Sequence, residues 1–246
     1  MKKITLSFYL LLLLSAVQAQ VSFGPKLGMN VSTESFAFSG YYNGNYVISR
    51  TPQLSYQAGV VLNLQVHNNF TIRPELLFNQ VRTSTTFGDY YYDKTLINNT
   101  YNYITIPLNF VGTYYLGAGM LNLFIAPQLS IGVGGHYSQV SDSTAAGTGG
   151  LPSATSESGK LFPTQVPANG GGNSVNWYYN QVNVGFNYGV GYMINHCLFT
   201  AQYSLGLSST QPFYSDPYSA AHRNDFYSRT NGFTFAMTYL FGNIKR

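Results

Sequence analysis

Residues 54–66 read Leu54-Ser55-Tyr56-Gln57-Ala58-Gly59-Val60-Val61-Leu62-Asn63-Leu64-Gln65-Val66. The even positions are all apolar or aromatic, and the odd ones are mostly small or polar. A strict period of two places the two sets on opposite faces of an extended strand.

The same pattern recurs along the chain and predicts eight strands, at about 21–31, 54–66, 70–79, 101–112, 121–133, 181–192, 199–207 and 232–241. Short turns follow the second, fourth and sixth: His67-Asn68-Asn69, the segment Gly117 to Gly119, and Asn195-His196. The other connections are long, at about 32–52, 83–100, 134–178 and 208–231, and hold most of the charge with much of the Ser, Asn, Gly and Tyr.

Charged residues make up 8% of the 246, well below the roughly 25% of a soluble domain. Aromatics reach 16%, with 22 Tyr against one Trp, and mean hydropathy is close to zero. Strands with one oily and one polar face fit this balance, whereas a disordered chain would lack the aromatic and aliphatic content. The N-terminus reads as an export signal: Lys2 and Lys3, an apolar run from Ile4 to Leu14, then Val17-Gln18-Ala19. Cleavage is expected after residue 19, leaving 20–246 as one domain. The apolar run is too short for a membrane helix, which needs about 20 residues.

Taken together, the pattern predicts an all-β fold: an eight-stranded antiparallel up-and-down transmembrane β-barrel in a Gram-negative outer membrane. Short turns face the periplasm in such barrels and long loops face outward, so both termini are expected in the periplasm. The rival is a soluble lipocalin-like barrel, apolar inside and charged outside. It would leave an exterior nearly without Lys or Glu, which disfavours it. Within the strand cores the charges are Lys26, Arg73 and Glu75, all with the parity of the lumen. An outward Lys or Arg at the midplane would cost about 2–4 kcal/mol. Pro25 and Pro74 have lipid parity and are expected near strand ends or bulges.

The sequence resembles the PorT-like group of outer membrane β-barrel proteins. The stretches that carry the resemblance are Gly24-Pro25-Lys26-Leu27-Gly28-Met29-Asn30, Arg73-Pro74-Glu75-Leu76-Leu77-Phe78 and Tyr103-Ile104-Thr105-Ile106-Pro107-Leu108, with Gly189-Val190-Gly191-Tyr192 and Tyr203-Ser204-Leu205-Gly206-Leu207. It covers nearly all of the mature chain. It implies an eight-stranded outer membrane barrel with a cleaved signal, folded with periplasmic chaperones and the barrel assembly machinery, and implies no particular activity. Such barrels often finish on an aromatic residue, whereas here Asn243-Ile244-Lys245-Arg246 follows Phe241.

Three constellations bear on chemistry. Lys26, Arg73 and Glu75 are expected to meet inside the barrel as an ion-pair network, with Gly185, Gly189 and Gly191 making room for the long side chains; a solute site or gated pore is the sharper alternative. His136, Ser138 and Asp142 in the third long connection, and Asp216, His222 and Asp225 in the fourth, hold the residue types of a hydrolase. No G-x-S-x-G or H-E-x-x-H motif accompanies them and no zinc-ligand spacing exists, so no catalytic residue, cofactor or metal is assigned. Finally, Tyr41, Tyr42, Tyr46, Tyr90, Tyr91, Tyr92, Tyr214 and Tyr218 enrich the outer connections, the composition of adaptable binding loops, while Tyr178 and Tyr179 are assigned to an interfacial girdle.

The functional expectation is a structural or interaction role through the extracellular loops, without enzymatic activity. A small pore or transport- or secretion-associated component is the alternative, and a barrel hydrolase comes third. Expected partners are outer membrane lipid, the assembly machinery and a further extracellular or periplasmic protein. The net charge of +4 includes Lys2 and Lys3 and is too weak and scattered for nucleic acid.

Overall fold

A computed structural model describes residues 20–38, 46–89, 93–143, 153–164, 177–210 and 226–242. The expected signal at 1–19 and the tail at 243–246 lie outside the described residues, as do Asp216, His222, Asp225, Tyr41, Tyr42, Tyr90, Tyr91, Tyr92, Tyr214 and Tyr218.

The strands are β1 (Gln20–Phe38), β2 (Tyr46–His67), β3 (Phe70–Asp89), β4 (Asp93–Leu116), β5 (Gly119–Ser143), β6 (Ser153–Pro163), β7 (Trp177–Tyr179), β8 (Val182–Ile194), β9 (Cys197–Gly206), β10 (Phe226–Tyr239) and β11 (Phe241–Gly242). Eight form a closed ring in the order β1-β2-β3-β4-β5-β8-β9-β10, every neighbour antiparallel. The ring closes where β10 pairs with β1 from Lys26↔Thr238 to Phe38↔Phe226, and β11 continues that seam as Phe23↔Phe241 and Ser22↔Gly242. Closure removes every free edge within the membrane, where an unpaired N–H or C=O would cost several kcal/mol.

The ring is polar inside and apolar outside. Leu27 is 63% exposed and Phe235 60%, while neighbouring Lys26 is 3% exposed. This polarity is the reverse of a soluble barrel's. On β3 the outward apolar run from Phe70 to Phe78 matches the about 9–11 residues needed to span a membrane.

The strands reach further outward than the alternation suggests. β1 continues to Phe38, β2 resumes at Tyr46, and β3 and β4 pair up to Gly88↔Lys94, within segments expected to be loops. The third connection, expected as loop over 134–178, contains more structure still. β5 runs on to Ser143, and β6 pairs with its outer half from Gly135↔Leu161 to Ser143↔Ser153. β7 then lies parallel to the end of β6. The inner half of β5 pairs with β8 instead, from Met120↔Met193 to Ile131↔Val182. At the level where β5 changes partner, Val133 is an extra residue opposite Asn102 and Tyr103, and Gly134 has a φ of 135°. This bulge shifts the parity of β5, so Tyr137 points inward on a strand whose lower inward positions are even-numbered.

Pro25 and Pro74 lie five or so residues from the short-turn end of their strands, and beyond Pro74 the paired register with β4 resumes only at Leu77.

A side chain at Gly24 would run into the carbonyl oxygen of Tyr239 on the closing strand. Gly24→Val is therefore expected to prevent ring closure. The check is electrophoretic mobility before and after boiling: the variant should migrate as the unfolded chain in both lanes.

Candidate functional site

The lumen is filled in layers, beginning at the short-turn end. Val61, Met120, Met193, Leu198 and Leu240 form an apolar plug, all buried and all at inward positions. Apolar side chains at this mouth exclude water from the polar layer beyond it.

That layer contains the charges singled out from the sequence. Lys26 Nζ donates to Glu75 Oε2 at 2.7 Å, with both side chains 3% exposed. Arg73 is two residues from Glu75 on the same face of β3. Its Nε donates to Asn63 Oδ1 at 3.0 Å and a terminal nitrogen donates to Asn122 Oδ1 at 3.4 Å. Asn109 Nδ2 donates to the Arg73 carbonyl at 2.9 Å, and Asn63 Nδ2 donates to Ser22 Oγ at 3.3 Å. Next outward, Asn30 Nδ2 donates to Asn79 Oδ1 at 2.7 Å and Asn30 Oδ1 accepts from Thr234 Oγ1 at 2.9 Å. The cavity between these groups and Gln128, Ser130 and Asn183 measures about 60 Å³, room for about two waters.

The inward glycines of β8 lie close to several neighbouring side chains. A Cβ at Gly185 would lie 2.7 Å from the Gln128 amide, one at Gly189 would lie 2.7 Å from the Phe124 ring, and Gly191 faces Leu198 and Thr200. The small size of Gly185 and Gly189 accommodates Gln128 and Phe124.

A further inward charge, Glu34, lies just past the expected end of the first strand and was not among the expected three. Glu34 is 2% exposed; Thr83 Oγ1 donates to its Oε2 at 3.2 Å and Thr210 Oγ1 to its Oε1 at 2.8 Å. Thr210 also bonds Ser228 on β10. The signal was present, since Ser32 and Glu34 continue the even parity of Lys26 and Asn30.

The outer end of the lumen is closed by aromatics. Tyr179, assigned to the girdle from sequence, is instead 1% exposed and inside. Its ring packs edge-on against Tyr101 at 5.2 Å and Tyr103 at 5.6 Å between centroids. Its oxygen accepts from the Gly134 N–H at 3.0 Å and faces the carbonyls of Gly134 and Asn102 as a donor. A Cβ at Gly132 would lie 2.7 Å from that ring, so a glycine is what lets the third connection return into the barrel. Tyr178, by contrast, pairs outward with Phe162. Above the cap, Tyr137 stacks on Trp177 at 4.4 Å and its hydroxyl donates to Glu157 Oε1 at 2.7 Å.

His136, Ser138 and Asp142 lie along β5 rather than in a loop. Six residues of strand separate His136 from Asp142, about 20 Å, so the three cannot converge on one reacting atom. Among the described residues no group of three or more His, Cys, Asp or Glu is placed to hold a metal ion.

In sequence, residues 18–211 match the family described as the outer membrane protein beta-barrel domain. The chain belongs to this family. The match runs from the start of β1 past the end of β9, and the family places this barrel in the outer membrane. No curated protein matches the chain. Among solved structures it is similar to the attachment invasion locus protein Ail of Yersinia pestis, with 10% identity over 90% of this chain and 99% of that one at a TM-score of 0.37. Ail in complex with the heparin analogue sucrose octasulfate gives 11% identity, the same coverage and a TM-score of 0.37. The CymD monoaromatic hydrocarbon channel gives 7% identity over 94% of this barrel and 91% of its own chain, at a TM-score of 0.20.

Two outcomes follow. Glu75→Ala strands Lys26 in the lumen and is expected to cost about 3–5 kcal/mol in urea unfolding, whereas Lys26→Met with Glu75→Leu should stay near wild type; an unchanged midpoint for Glu75→Ala would remove the ion pair's importance. Burial and then the Glu157 hydrogen bond push the Tyr137 phenol up to about 12. Its neutral form stabilises the fold fully below the unfolded value of about 10, and that contribution is lost as pH rises toward 12. Trp177 is the chain's one tryptophan, so its emission should hold to about pH 10 and shift between 10 and 12, a shift that Tyr137→Phe abolishes.

Proposed function

We propose that this barrel is a non-conducting, non-enzymatic anchor whose extracellular strand extensions and loops bind another molecule. The observation that carries this reading is the filling of the lumen against the size of the outer extension. An apolar plug, a buried ion pair and an aromatic cap occupy the interior, while β1 to β5 and β10 continue past the apolar band and β6 and β7 are added there. An eight-stranded interior is just wide enough for side chains to fill. The same filling argues against a small pore, and the separation of His136 from Asp142 argues against a hydrolase built from those two residues and Ser138.

In this reading both termini are periplasmic, because Gln20 and Gly242 lie at the end of the barrel that carries the short turns. Residues 1–19 are removed on export, a reading supported by Lys2, Lys3, the apolar run from Ile4 to Leu14 and Val17-Gln18-Ala19. PorT-like membership remains the finer form of the family assignment, supported by the motifs around Lys26, Arg73 and Tyr103. Insertion requires the barrel assembly machinery, and the finished barrel engages an extracellular or periplasmic protein.

Planar bilayers separate the readings. The purified barrel should give no current steps, and steady single-channel steps would replace the anchor with a pore. Crosslinking on intact cells from cysteines placed on β6 should capture a partner that cysteines at the short turns do not.

A further inference from the structure

Four neighbouring strands place three basic residues in one row, with a threonine between the first two. The register pairs Arg82 on β3 with Thr100 on β4, Thr100 with His136 on β5, and His136 with Lys160 on β6. Their immediate neighbours Val81, Tyr101, Tyr137 and Leu161 all point inward into one buried cluster, so by strand parity the row faces outward. Arg82, His136 and Lys160 are exposed, and Thr100 between them is 7% exposed. Among the described residues, no hydrogen bond or ion pair holds any of the three basic groups. Adjacent strands stand about 4.8 Å apart, so the row spans roughly 14 Å.

Its height matters as much as its charge. Below the row on the same outward face come Phe78, Ile104, Val133 and Phe162, the last apolar residues on their strands before it. Between lies only the Gln80–Asn102 pair, joined from Gln80 Nε2 to Asn102 Oδ1 at 3.3 Å. The row therefore stands at the upper margin of the lipid-facing band. The nearest acid on this face of these strands, among the described residues, is Asp142, six positions further along β5. Glu157, closer in sequence to Lys160, is turned inward to Tyr137.

We propose that Arg82, His136 and Lys160 form a binding site for the phosphorylated headgroups of outer-leaflet lipid. A phosphate offers oxygens that a guanidinium can take bidentately and an ammonium as a point charge. A cationic row flush with an acyl-facing wall lets one lipid satisfy both surfaces. A soluble anion would gain only the charged half, which is why the lipid, and not free phosphate, is assigned. The site rests on the orientation proposed above, but its test does not, because nanodiscs carry the probe lipid in both leaflets.

The intact barrel is placed in phosphatidylcholine nanodiscs containing diphosphorylated lipid A, and the lipid A that co-purifies after transfer to detergent is measured by native mass spectrometry. Wild type should retain it, and the Arg82→Gln, His136→Gln, Lys160→Gln triple variant should retain roughly tenfold less or lower, since each Lys or Arg near an anionic surface contributes appreciably. The charge-preserving Arg82→Lys, Lys160→Arg variant should bind within a few-fold of wild type, and the heat-dependent gel shift reports whether each variant is folded. Equal retention by the folded triple variant would overturn the proposal. So would equal retention of lipid A stripped of its phosphates, or complete displacement by millimolar inorganic phosphate. Termini mapped to the outer surface would overturn the orientation while leaving the lipid result standing.

Discussion

Closure of the ring at the β1–β10 seam is the constraint on which the rest depends. In hydrocarbon every backbone N–H and C=O has to be satisfied within the protein, and a sheet achieves this only without edges. The antiparallel register from Lys26↔Thr238 to Phe38↔Phe226, extended by β11, provides that. Closure sets a small lumen, and a small lumen has to be packed. Each inward position then depends on the volume its neighbours leave. Phe124 fits because Gly189 has no side chain, and Tyr179 fits because Gly132 has none.

The lumen's charges follow from the same geometry. An ammonium in a closed interior is tolerable only with a partner, and Lys26 finds Glu75 across β2. Arg73 is held by neutral amides, and Glu34 by hydroxyls from β3 and from the chain entering the fourth connection. These groups tie strands far apart in sequence, so the interior fixes barrel shape more than it offers a passage. The proposed binding surface lies in the part that escapes the membrane constraint, where strands lengthen, β6 pairs the outer half of β5 outside the ring, and β7 brings an aromatic arm back to cap the lumen.

Legibility in the sequence divides along the same line. Inside the membrane two faces meet opposite environments, so parity is written into each strand, and Lys26, Arg73 and Glu75 could be assigned inward from it alone. Above the membrane both faces can be wet, and the pattern fades. Ser153 to Lys160 has almost no apolar alternation, yet forms a strand because upper β5 offers it a ladder. Tyr179 reads as one more interfacial tyrosine until Gly132 is seen to leave a place for its ring. Glu34 was missed only because the first strand was ended at Val31, three residues short of it, whereas β1 runs on to Phe38.

The sequence by itself determined the fold class, the eight-strand ring, the lipid face and the inward charges, because a period of two repeated in eight segments, with almost no charge on either face, suits a closed ring in a bilayer better than a soluble barrel. The tertiary structure alone decided which inward groups meet, that both mouths are closed, and that Arg82, His136 and Lys160 share one row. Those depend on register between strands distant in the chain, and register is set by bulges, glycines and packing that no local pattern encodes.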